Sequence, residues 1–214
     1  MIARPILEVA SHLEIPPCVT YAASCLWNWT VRARGSDDIT NPDNLSVVIS
    51  LTGTKDEEWF FMISAAIEAK GAAMIRLMLE AIDVVYAAKD SDQLVTDYLY
   101  EFSNRLEDIR HCLVRMGEKC IPDVFFNQLR PLLAGSKNMA YCGLPNGVFY
   151  QLGGGHGDWR QYYGGSNGQS SLIQTFDIFL GVEHSATGGM TSAASCYLKA
   201  SFTYYHIYGI SLTR

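Results

Sequence analysis

From residue 56 to residue 116 the apolar residues recur at every third or fourth position, and no other stretch limits the fold so strongly. Asp56-Glu57-Glu58 suits the positive end of a helix dipole. Phe60, Phe61, Ile63, Ile67, Met74, Leu77, Met78, Ile82 and Val85 then keep a helical period. Gly71 and its neighbours Ala69, Ala72 and Ala73 are small enough for another helix to pack tightly against them. Asp90-Ser91-Asp92 reads as a turn and cap. Leu94, Tyr98, Phe102, Leu106, Ile109, Leu113 and Met116 draw the clearest amphipathic helix in the chain, with a solvated face of Asp97, Glu101, Arg105 and Asp108. The expected class is all-α, a helical bundle around one core.

The flanking segments extend that reading. Ile6, Leu7, Ala10 and Leu13 have helical spacing, and Pro16-Pro17 closes that segment. Residues 18–33 read as a helix apolar on much of its circumference and set deep in the fold. Val47-Val48-Ile49-Ser50-Leu51 is a β-branched run without an obvious partner strand. Phe125, Phe126, Leu129, Leu132 and Leu133 line one side of a helical segment opened by Pro122. Pro131 biases Arg130 away from helical geometry, so a kink is expected there. From Gly135 to Gly157 the chain reads as loop. Gly164-Gly165-Ser166-Asn167-Gly168-Gln169-Ser170-Ser171 then leads into an apolar helix reaching about Val182, with Ser166 and Asn167 as candidate caps.

Composition excludes several classes of function. The 214 residues suffice for one domain with a substantial core. A net charge of -6 without a basic cluster speaks against a nucleic-acid surface. No apolar run is long enough for a bilayer, and Glu8, His12 and Glu14 interrupt any secretion-signal core, so a cytoplasmic protein with no membrane partner is expected. Six cysteines at wide spacings read as buried thiols, not bridges or a zinc site. No nucleophile elbow, paired carboxylates or metal-ligand histidine spacing is evident. The residues suit a pocket for a large flat ligand, with the difficult chemistry left to a cofactor.

The stretch from Gly164 to Gln174 resembles the signature of the indoleamine 2,3-dioxygenase family, haem enzymes that open the indole ring of tryptophan. The resemblance covers most of the chain. It includes Leu13-Glu14-Ile15-Pro16-Pro17 with Tyr21 and Trp29, and Trp59 to Ser64. It continues through Phe125 to Gly135, Leu144 to Val148, and Phe176 to Val182. It implies a large all-α domain that holds haem b and its iron. The implied reaction takes L-tryptophan and O2 to N-formylkynurenine, on the kynurenine route toward NAD. The resemblance places Tyr21, Phe60, Ser64 and Phe125 on the pocket wall, and Arg130 against the substrate carboxylate. Gly165, Ser166 and Asn167 match the loop over the haem, and Asp177 a proximal aspartate that supports its binding. No residue is implied as acid or base, and a monomer is expected.

The family's next signature begins at Tyr197-Leu198-Lys199, but its spacing to the iron-ligating histidine is not kept. His206 is the candidate substitute ligand. The expected organisation is therefore a partial large helical domain over residues 1–183 and a divergent, poorly ordered tail over 184–214. On this reading the chain is truncated at both ends and lacks the family's small N-terminal domain. The alternative is a truncated, catalytically inactive relative that binds haem weakly or not at all.

Overall fold

The computed structural model describes residues 3–33, 36–87, 92–137 and 139–182; the expected tail over 184–214, His206 included, lies outside the described residues. These residues fall into two compact units, one ending at Asn167 and one beginning at Gly168.

Helix dominates the first unit, as the class requires. Helix α1 spans Ala3–His12. The long pattern resolves into α2, Lys55–Ala87, and α3, Asp92–Val114, which pack against each other. The first half of α2 is buried on nearly every side through Glu57, Trp59, Phe61, Met62, Ile63 and Ala66. Its second half keeps only the stripe Gly71, Met74, Met78 and Ala81 inside. Gly71 is thus buried where close helix packing was expected. Helix α3 buries Phe102, Ile109 and Cys112, while Leu94 and Leu113, at the two ends of its apolar stripe, stay about half exposed. The short α4, Met116–Lys119, continues the chain beneath α2. Trp59 ties these parts together: its indole N–H donates to the Arg115 carbonyl at 2.7 Å, and the Lys119 ammonium sits 3.8 Å from its ring centre.

Residues 18–33 depart from the expected helix. Tyr21 leads into a π-helical turn, Ala22–Leu26, and the chain then extends into strand β1, Trp29–Val31. Of the β-branched run only Val47 is strand, at the end of a strand that begins before the run. Strand β2, Leu45–Val47, pairs antiparallel with β1, Trp29 facing Val47. The Asn28 side chain prolongs this pairing, donating to the Ile49 carbonyl and accepting from the Ile49 N–H, both at 2.8 Å. The buried Asn28 amide is thus satisfied by extended backbone, at the point where the expected helix gives way to a strand.

The expected kink at Arg130 is also resolved differently. Helix α5, Pro122–Val124, runs through a second π turn, Phe125–Leu129, into α6, Arg130–Leu133, and Arg130 itself is helical (φ −55°, ψ −39°). The wider turn donates the Arg130 N–H back to the Phe125 carbonyl. The irregularity that Pro131 demands is thus taken up by the π turn before it. Residues 135–157 are not all loop: β3, Val148–Gly153, and β4, His156–Arg160, form a hairpin with Phe149 opposite Trp159.

In the second unit, α7 spans Ser171–Leu180. Its cap is Ser170, whose hydroxyl accepts from the Ile173 N–H at 3.2 Å, and not Ser166 or Asn167; Asn167–Gln169 form a 3-10 turn. Gly181, at φ +66°, ends the helix with bonds to the Asp177 and Ile178 carbonyls.

Candidate functional site

Phe60, Ser64 and Glu68 stand on α2 at successive four-residue steps, which places them on one face of the helix. The Ser64 hydroxyl donates to the Phe60 carbonyl at 3.1 Å. The first π turn runs beside this face. Tyr21, buried, donates its hydroxyl to Glu68 Oε1 at 2.8 Å. One turn further, the buried Cys25 thiol lies within hydrogen-bonding reach of the Ser64 and Ser24 hydroxyls. The Cys25 thiol is pushed up to about 11, chiefly by burial and to a smaller degree by the Glu68 charge; the Ser24 and Ser64 hydroxyls only partly offset this. Two polar links, Tyr21 to Glu68 and Cys25 to Ser64, therefore join the π turn to α2 in opposite chain directions.

The second π turn closes the other end. Phe125 packs on Phe60 with ring centres 4.9 Å apart and planes at 42°. Five residues on, Arg130 is exposed and lies with its guanidinium 4.5 Å from the Phe126 ring centre. It makes no ion pair among the described residues. The sequence-predicted residues Tyr21, Ser64, Phe60 and Phe125 thus come together around α2, with Arg130 at the end of the same π turn as Phe125.

The glycine-rich segment reaches this assembly through close backbone approach. Tyr163 bridges to Gly135, the Gly164 N–H donates to the Ala134 carbonyl at 3.4 Å, and the Cys18 thiol donates to the Tyr163 carbonyl at 3.2 Å. Gly165 lies on the backbone of Val19, Thr20 and Tyr21, where an added Cβ would meet their atoms at 3.2–3.3 Å. The two glycines serve close packing of the chain on itself, against the end of α6 and the entry to the first π turn. Gly165 and Ser166 are half-buried and Asn167 is exposed. Asp177, half-buried on α7, belongs to the second unit.

Glu68 and Cys25 escaped the sequence reading. Glu68 could have been found as the ionisable residue next after Phe60 and Ser64 on their four-residue stripe, and Cys25 as the residue one turn beyond Tyr21. Their environments predict a difference in reactivity. A brief alkylation near neutral pH, followed by peptide mapping, should label the exposed Cys142 first and leave Cys25 unmodified until the protein unfolds. Equal labelling of the two would show that the π turn is not packed as described.

His12, His111 and His156 are exposed, and no cluster of three metal-ligating side chains occurs among the described residues. No helix among them is long and apolar enough to cross a membrane.

The Indoleamine 2,3-dioxygenase family pattern matches residues 1–206. The chain is 45% identical over 192 residues to Indoleamine 2,3-dioxygenase acdA of Aspergillus candidus, covering 87% of this chain and 46% of that protein. It is 40% identical over 194 residues to the Indoleamine 2,3-dioxygenase of Saccharomyces cerevisiae, covering 89% and 42%. It is 34% identical over 190 residues to 6-hydroxytryptophan 2,3-dioxygenase fscD of Fusarium equiseti, covering 89% and 46%. The chain therefore spans just under half the length of these relatives. A match that takes in α2, both π turns and the glycine segment alike leaves one assignment: the chain belongs to the indoleamine 2,3-dioxygenase family.

Proposed function

We propose that this chain forms the substrate side of a haem-dependent dioxygenase that opens the indole ring of L-tryptophan with O2 to give N-formylkynurenine. The observation that carries the reading is the aromatic wall, Phe60 on Phe125 with Tyr21 along the same helix face, ending in an arginine not engaged in an ion pair among the described residues. These residues fit the face of a large flat group: the wall of Phe60 and Phe125 is aromatic and apolar. Haem, when bound, supplies the activation of dioxygen. Phe60, Phe125 and Tyr21 exclude water and hold the indole ring. Arg130 pairs with the substrate carboxylate, where a charge-assisted bond contributes roughly 1.5–3 kcal/mol. Gly165, Ser166 and Asn167 would contact the cofactor or the substrate, and Asp177 would support the cofactor.

The purified chain, supplied with haem and a reductant, should show a Soret band and transfer both atoms of labelled dioxygen to N-formylkynurenine. Failure of both would overturn the reading in favour of a relative without activity. Arg130→Ala should raise KM for L-tryptophan by about 10- to 100-fold, the loss of one charge-assisted pair. It should leave the affinity for indoles without a carboxylate unchanged. An equal loss for both ligand types would remove Arg130 from carboxylate binding.

A further inference from the structure

Tyr21 is a large amphipathic side chain in ordinary helical geometry, φ −57° and ψ −42°, at the entry to the π turn. Its backbone and ring are buried with the core, and the ring's far end is fixed by its hydroxyl, donated at 2.8 Å to a carboxylate 47 residues away. A hydrogen bond to a charged acceptor is short, directional and stronger than a neutral one. Glu68 is itself placed by α2, one turn beyond Ser64 and two beyond Phe60, so the anchor and the aromatic wall share one rigid element. Gly165, backed onto Tyr21 at its amide nitrogen, leaves the glycine segment in register with the same residue.

We propose that Glu68 is a positioning residue that fixes the Tyr21 ring and thereby sets how wide a substituted indole the pocket accepts. The assignment rests on the reading of the pocket given above. Glu68 acts through Tyr21 and not by contact with substrate or cofactor. With the anchor in place, the ring stands as a fixed wall, and an indole carrying an added methyl group on its six-membered ring meets it. Without the anchor, the far end of the ring is held by packing alone and gives by the width of a methyl group. One methyl group in a close-fitting pocket is the scale on which such walls discriminate.

The test compares kcat/KM for L-tryptophan and 5-methyl-L-tryptophan in the haem-loaded wild-type chain and in Glu68→Leu, Glu68→Gln and Tyr21→Phe. Glu68→Leu and Tyr21→Phe should each shift the ratio toward the methylated substrate by about tenfold. Glu68→Gln, whose amide oxygen still accepts from the tyrosine, should keep the wild-type ratio. General loosening of the fold lowers both substrates together and does not move the ratio. An NMR readout follows the link itself: a slowly exchanging tyrosine hydroxyl proton, absent in Tyr21→Phe, should persist in Glu68→Gln and vanish in Glu68→Leu.

If Glu68→Leu keeps that proton, or keeps the wild-type ratio in an active protein, the Glu68 assignment is overturned and the functional reading stands. If the wild type neither takes haem nor turns over either substrate, the functional reading fails and the role of Glu68 in selectivity fails with it.

Discussion

Gly164→Ala should cost the fold about 3 kcal/mol or more, the upper end for an overpacked site, whereas Gly165→Ala one residue later should cost under about 1 kcal/mol. A Cβ on Gly164 would fall onto the Leu133 carbonyl and within 2.6 Å of the Gly135 nitrogen. These atoms are backbone on both sides, so no side chain can turn aside to make room. A Cβ on Gly165 meets its nearest atoms only at 3.2 Å, a distance that a shift of a few tenths of an ångström relieves. Thermal melts of the two variants measure the contrast. At roughly 2–4 °C per kcal/mol for a chain of this size, Gly164→Ala should melt on the order of 10 °C below Gly165→Ala. Equal melting temperatures would mean that the Tyr163–Gly135 bridge does not hold Gly164 against α6.

The same contact has a functional side. Gly164 is fastened to residues directly following α6, the helix that begins with Arg130, and Gly165 to the residues that introduce Tyr21. Cys18 and Ser136 reinforce the two attachments, through the Tyr163 carbonyl and the Tyr162 N–H. The glycine segment therefore works as a clasp between two pocket segments that are more than a hundred residues apart in the chain. A displaced Gly164 should disturb Arg130 and Tyr21 together.

How much of this was legible depended on how regular the backbone is. The period of α2 and α3 was plain from Phe60 to Met116 because a helix repeats its demand at every turn. Tyr21 and Arg130 sit beside π turns, where one extra residue breaks the period, and so residues 18–33 read as a plain helix and Arg130 as a kink. The Trp29–Val47 pairing was hidden because its specificity lies in the Asn28 side chain and not in alternation of apolar residues. The hairpin of β3 and β4 was obscured by Gly153, Gly154 and Gly155, which serve its turn but read as loop throughout. Arg130 and the pocket aromatics were found through family resemblance, since an exposed arginine and a pair of phenylalanines carry no pattern of their own. Glu68 and Cys25 were legible only once the direction of the first π turn was known.

Glu57 should prove the most sensitive buried position in the α2 half of the core. It is completely buried, at 0% exposure, and it is a carboxylate. Its two oxygens accept from the Leu51 N–H at 2.6 Å, the Thr52 N–H at 2.7 Å, the Ser50 hydroxyl at 2.7 Å and the Thr52 hydroxyl at 2.5 Å. Its own N–H donates to the Thr54 hydroxyl at 3.2 Å, so Thr54 caps α2, while the Thr54 N–H turns back to the Thr52 hydroxyl at 3.2 Å. Glu57→Leu leaves those four donors facing hydrocarbon and should cost about 3–5 kcal/mol. Glu57→Gln turns an amide N–H toward a donor and should cost about 1–3 kcal/mol.

Acid should erase the difference between wild type and Glu57→Gln. Burial pushes the Glu57 carboxyl up, but the Leu51, Ser50 and Thr52 hydrogen bonds together outweigh it and hold the group below the ordinary glutamate range. A carboxyl depressed in the fold binds its proton more readily when unfolded. Its stabilisation is therefore full above the unfolded value and disappears as pH falls through the folded one. Urea unfolding of the two proteins should differ most at neutral pH and converge below the ordinary glutamate range. A gap of constant size down to the acid limit would show that the four donors, and not the charge they hold, account for the stability of this corner.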